Sequence, residues 1–138
     1  MRKSFAAVAG LVLAVAGSPA LSQTSDQFDL VCKGTQQTRT GEPATAWNER
    51  FRLDLRAKRW CRGACATASE IATVTDDNIQ IYHSRASIGG PAEAELNISR
   101  TGGEIREAVS MGWSGGAATL AEGQCERAFF SGLPEQRF

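Results

Sequence analysis

Between Trp47 and Leu55 the chain reads WNERFRLDL, with Trp47, Glu49, Phe51, Leu53 and Leu55 alternating against Asn48, Arg50, Arg52 and Asp54. An extended strand sends successive side chains to opposite faces, whereas a helix needs apolar residues three and four apart. The stretch therefore specifies a half-buried strand. The same period runs through FDLVCKG, where Phe28, Leu30 and Cys32 share one face and Asp29, Val31 and Lys33 the other. Arg56, Ala57 and Lys58 then make a short turn and RWC returns, which predicts a hairpin with Trp60 near Leu53 or Leu55.

The later chain repeats the pattern. SEIATV reads as a short strand, and Asp76, Asp77 and Asn78 signal a turn into NIQIYHS, where Ile79, Ile81 and His83 are expected on one face. SRASIGGPAE is a loop. AELNISRTGGEIREAVSM reads as two strands joined at Thr101, Gly102 and Gly103, with Leu96 and Ile98 matching Ile105 and Val109. After Trp113 come a glycine-bearing turn, one or two final strands in SGGAATLAEGQCERAFF, and SGLPEQRF as a tail. Six to eight short antiparallel strands with turns every eight to twelve residues imply an all-β meander, either an up-and-down barrel or a sandwich.

The first residues, MRKSFAAVAGLVLAVAGSPALSQ, have the charged start, short apolar run and small-residue end of an export signal, cleaved after Ala20 or Ser22. The apolar run from Phe5 to Ala16 is shorter than the roughly 20 residues a membrane-spanning helix needs. A signal over 1–22 leaves a single β domain over 23–138, about 116 residues, expected in the periplasm or secreted. Removing Arg2 and Lys3 from 15 basic residues leaves 13 against 15 acidic ones, a balance unlike that of a nucleic-acid binder.

An oxidising compartment pairs cysteines, and four allow three pairings. Cys32 lies in the first strand, Cys125 in the last, and Cys61 and Cys65 share one tight loop. If first and last strands are neighbours, as a barrel requires, Cys32 with Cys125 and Cys61 with Cys65 is the least strained arrangement. The long bridge would close a loop of about 94 residues and stabilise by about 4–5 kcal/mol in the chain-entropy model, the short one by about 2. The alternatives for RWCRGAC fit less well: a thioredoxin-like site needs two intervening residues where this chain has three, and zinc would find only one histidine, His83. No metal or cofactor is expected.

Candidate functional residues fall into three groups. Arg50, Arg52, Arg56, Lys58, Arg59 and Arg62 crowd one hairpin, while Glu93, Glu95, Glu104, Glu107, Glu122 and Glu126 crowd the later strands. Such a distribution is either cross-strand pairing or a two-signed surface able to steer a charged partner. Trp47, Trp60 and Trp113 fall near strand ends, where they pack the core or line a pocket for a small ligand. His83 could serve as an acid or base, and Glu93 with Glu95 or Glu104 with Glu107 as a carboxylate pair, but a rim histidine and solvent-facing glutamates are the simpler reading. The sequon at Asn97, Ile98 and Ser99 matters only in a glycosylating host.

GWSGGAATLAEGQCE, residues 112–126, resembles the closing segment of the membrane-bound inhibitors of C-type lysozyme, small exported β-barrels, through Trp113, Gly115, Ala118, Thr119, Leu120 and Cys125. That resemblance implies a barrel and an inhibitory role. FDLVC, Trp60 with Cys61, and GQCERAFFSG over 123–132 are together similar to a group of small exported bacterial β-proteins, a likeness that implies fold and compartment but no activity. The sequence thus points to an exported binding or interaction domain, with a protein or a small ligand as its partner and no catalysis. An enzyme built on His83 is the alternative from another class.

Overall fold

The computed structural model describes residues 26–38, 41–86, 92–111 and 118–135. The export signal, residues 87–91 and Trp113 lie outside the described residues, and the ends of the loop expected over SRASIGGPAE are strand instead, Ser84–Ala86 in β6 and Ala92–Glu93 in β7. The described chain is all β: β1 (Gln27–Gln37), β2 (Thr45–Asp54), β3 (Arg59–Arg62), β4 (Ser69–Glu70), β5 (Thr73–Val74), β6 (Asn78–Ala86), β7 (Ala92–Ser99), β8 (Glu104–Met111) and β9 (Ala118–Ala128). All pairings are antiparallel in one sheet of order β4-β3-β2-β1-β9-β8-β7-β6-β5. Nine strands stand where six to eight were expected, because SEIATV forms two strands of two residues rather than one.

The sheet curls into a half-barrel, and its edges meet in sequence. Ile71 N–H donates to the Lys58 carbonyl at 2.8 Å, while the next amide, Ala72, donates to Ile81 at 3.1 Å on the far edge. Adjacent amides of one extended chain point in opposite directions, so this short stretch bonds to both edges at once. Aromatic packing follows the curl: Trp47, Phe51, Trp60 and Tyr82 form a row with centroid spacings of 6.5, 6.2 and 6.0 Å. Trp60 on β3 and Tyr82 on β6 are far apart in strand order, and only curling brings them together.

First and last strands pair, as the barrel reading required. Cys32 stands directly opposite Cys125, with Cα atoms 3.9 Å apart, and the two are bridged. Two residues on, Gly34 faces Gly123, and a Cβ on either would collide with backbone of the other strand. Two glycines let β1 and β9 approach this closely. The second bridge, Cys61–Cys65, closes a loop in which Gly63 and Cys65 have φ of 57° and 59°. Both of its cysteines are buried.

The core lines the concave side: Phe28, Leu30, Phe51, Leu53, Ile71, Ile79, Ile81, Leu96, Ile98 and Ile105. One expectation about facing fails, and one outward residue is buried all the same. Asp29 faces away from Phe28 and Leu30 as the alternation predicts, yet it is completely buried. The tail explains this: Ser131 donates its amide and hydroxyl to the two Asp29 oxygens at 3.1 and 2.6 Å, and Arg52 donates to the Gly132 carbonyl at 3.2 Å. His83 does not share a face with Ile79 and Ile81. A register shift between Gln80 and Tyr82 inserts one residue into β6, placing Tyr82 against the core and His83 opposite Glu95 outside.

Candidate functional site

The starts of β1 and β6 and the ends of β7 and β9 fall at one end of the curled sheet. There a cavity of about 240 Å³ opens, lined by Phe28, Leu30, Ile79, Ile98 and Cys125 with Ser99, Gly103, Arg100 and Arg127. The apolar lining is core: Ile79 and Ile98 are 2 % exposed, Phe28 and Leu30 7 %. Two guanidinium groups stand at its mouth. Arg127 lies over the Phe28 ring, 4.1 Å from its centroid, and Arg100 donates to the Thr75 carbonyl at 2.6 Å. Gly103, with φ of 76°, turns the β7–β8 hairpin so tightly that its carbonyl receives the Cys125 amide at 2.8 Å. A Cβ there would come 2.8 Å from the Cys125 oxygen, so the glycine keeps this wall of the cavity in place.

Deeper along the concave side lies a polar cluster. Glu107 follows the inward register of Ile105 and stands opposite the buried Leu96. It accepts Arg62 at 2.7 Å and the Tyr82 hydroxyl, while Glu49 lies 3.8 Å from the Arg62 Nε. Arg62 also sits over the Phe51 ring at 5.0 Å. Burial, the hydrogen bond to Glu107 and the charge of Glu107 push the Tyr82 phenol far above its ordinary range, so it remains a neutral donor. For Arg62, burial works against the charge, but Glu107, Tyr82 and Glu49 outweigh it and hold the group above its usual value. The cluster ties β3, β6 and β8 together across the interior.

On the convex side the later charges form a ladder. Arg85 meets Glu93 at 3.2 Å, His83 lies between Glu93 and Glu95 at 3.5 and 3.9 Å, and Arg106 joins Glu95 to Glu122 at 2.9 and 3.4 Å. These contacts explain Glu93, Glu95 and Glu122 as cross-strand partners. Glu104 and Glu107 lie on opposite faces of β8 and do not form a pair. The six basic residues do not make one surface either. Arg50 and Arg52 flank the docked tail, Arg56 and Lys58 occupy the exposed β2–β3 turn, Arg59 opens β3, and Arg62 points inward. Among the described residues no group of three or more His, Cys, Asp or Glu is placed to hold a metal.

Trp47 and Trp60 pack against the core and do not line the cavity. Of the residues that do line it, the sequence marks Cys125 only as a bridge cysteine and Gly103 only as a turn residue, because the lining converges from four strands and one turn. Of the closing segment, Trp113 and Gly115 lie outside the described residues, while Thr119, Leu120 and Cys125 belong to β9. Comparison of the chain with protein-family models, curated proteins and solved structures finds no match.

Proposed function

We propose that this chain is an exported, non-catalytic binding domain and that the cavity between β1, β6, β7 and β9 is its binding site. One observation carries the reading. Four core side chains, Phe28, Leu30, Ile79 and Ile98, border open space at one end of the sheet instead of closing over one another. Ligand sites are concave and mainly apolar, with a few polar groups that fix orientation. At about 240 Å³ the space is below the roughly 300–1,000 Å³ of drug-sized sites, so its occupant is a small molecule.

Two further observations support the reading. The acid–base candidates are engaged elsewhere: His83 in the outer ladder and Glu107 by Arg62 and Tyr82. Two disulfides suit an oxidising compartment, in keeping with an N-terminal export signal and a periplasmic or secreted chain.

Native mass spectrometry of the protein released gently from its host under non-reducing conditions tests the proposal. The expected species is the disulfide-bonded chain carrying one small-molecule adduct. A chain recovered only in complex with a second protein would contradict it and favour an interaction module.

A further inference from the structure

The chemistry at the mouth of the cavity narrows the class of ligand, an inference that rests on the cavity being a binding site. Its floor is purely apolar, formed by Phe28, Leu30, Ile79 and Ile98, with Cys125 of the long bridge in one wall. Both charged residues that line it are cationic, Arg100 and Arg127. Among the described residues the Arg100 side chain has the Thr75 carbonyl as its hydrogen-bond acceptor, and no carboxylate lies within ion-pair distance of it. That single bond from Nη1 orients the guanidinium and leaves its other N–H groups for a second acceptor. Arg127 is held over the Phe28 ring, which places positive charge directly above the apolar floor.

Glu104, the first residue of β8, is held below the ordinary carboxyl range by hydrogen bonds from its own amide, from Ser99 and from Gln124, so it stays ionised, but it does not line the cavity. Asp76 and Asp77, in the turn whose Thr75 and Asp77 carbonyls bind Arg100, do not line it either. Arginine matches a carboxylate with two parallel N–H donors and pays less dehydration than an ammonium would.

We infer that the cavity takes a small amphipathic carboxylate, a short acyl chain or a single ring, with its apolar part on Phe28, Leu30, Ile79 and Ile98 and its carboxylate at Arg100. Arg127 contributes charge at the mouth, and the small volume excludes long acyl chains.

The test compares hexanoate, hexan-1-ol and hexylamine as probes of the full-length, disulfide-bonded protein, followed through the backbone amide resonances of Ile79, Ile98, Ser99 and Gly103. Hexanoate is expected to shift these resonances and to bind about five- to tenfold more tightly than hexan-1-ol, as a partly exposed charge-assisted contact allows. The advantage should shrink as salt is raised. In Arg100→Gln, hexanoate should fall to the level of the alcohol. Equal binding of hexanoate and hexan-1-ol, or stronger binding of hexylamine, would overturn the carboxylate assignment while leaving the cavity as a binding site. No shift with any of the three probes would overturn the binding site itself. The comparison of probes on the unsubstituted protein decides the matter even if Arg100→Gln fails to fold.

Discussion

Tyr82 and Glu107, 25 residues apart in sequence, meet inside the curled sheet, the phenol donating to the carboxylate. Tyr82 is the only tyrosine, so its ionisation can be read without interference from another phenol. Burial first, then the bond and charge of Glu107, raise its pKa in the folded chain. A raised value favours the protonated form, so its contribution to stability is complete below about pH 10, the value in an unfolded chain. The contribution is lost as pH rises through the folded value. Ultraviolet titration should show no phenolate near pH 10 in the native protein and its appearance only at higher pH or on unfolding.

The Arg62–Glu107 pair should behave as a partly buried ion pair. Arg62 is 34 % and Glu107 13 % exposed, so Glu107→Ala is expected to cost about 1–3 kcal/mol, less than a fully buried pair would. Replacing the whole cluster, as Arg62→Met, Glu107→Leu and Tyr82→Phe, should return stability to within about 1 kcal/mol of the parent, since neither a charge of the pair nor the phenol that bonds to it is left buried without a partner. Denaturant unfolding of Glu107→Ala and of the triple variant measures the difference.

The two disulfides should differ in worth. Cys32–Cys125 spans 93 residues and Cys61–Cys65 only 4. The chain-entropy model gives about 4–5 kcal/mol for the first and about 2 for the second. Alanine pairs at each bridge, compared by denaturant midpoint, should lose stability in that order.

Much of this fold is legible in the sequence, and the reasons are local. In β1 and β2 the alternation is strict, and the actual register places Phe28 against Leu53 and Leu30 against Phe51, all on the concave side. What escapes such reading is set by partners distant in sequence. Asp29 sits on an outward position and is buried only because Ser131 arrives from 102 residues away. A one-residue bulge in β6 reverses the facing of every residue after it, and NIQIYHS carries no glycine to announce it. Glu107 is a partial exception: EIREAVSM already puts it on the face of Ile105 and Val109, so an inward carboxylate could have been read from the alternation. The cavity could not, since its lining converges from four strands and a turn.

The β1–β9 seam should reject side chains. Gly34→Ala would press a methyl group into the Glu122 carbonyl, and Gly123→Ala into that of Lys33. Each is expected to cost about 1–3 kcal/mol or more, as forced overpacking does. Ala at Gly41, where a Cβ meets nothing but φ is 90°, serves as a comparison for backbone strain alone. Thermal unfolding of the three variants checks this, with the two seam variants expected to lose the most.

Docking of the tail should depend on one carboxylate. Asp29→Ala removes both acceptors used by Ser131 and leaves Arg50, 3.7 Å away, without this partner. A loss of about 1–3 kcal/mol is expected, together with faster carboxypeptidase trimming beyond Ala128. Ser131→Ala should produce the same trimming with a smaller loss of stability, because the amide bond to Asp29 remains.

The central claim concerns where a small ligand sits, and intermolecular nuclear Overhauser effects locate it directly. With hexanoate bound, the account predicts contacts from its terminal methyl to the methyl groups of Leu30, Ile79 and Ile98, which border the cavity. Contacts instead to Trp47 or Met111, which do not line it, or no contact to any of the three methyl-bearing residues, would contradict the account.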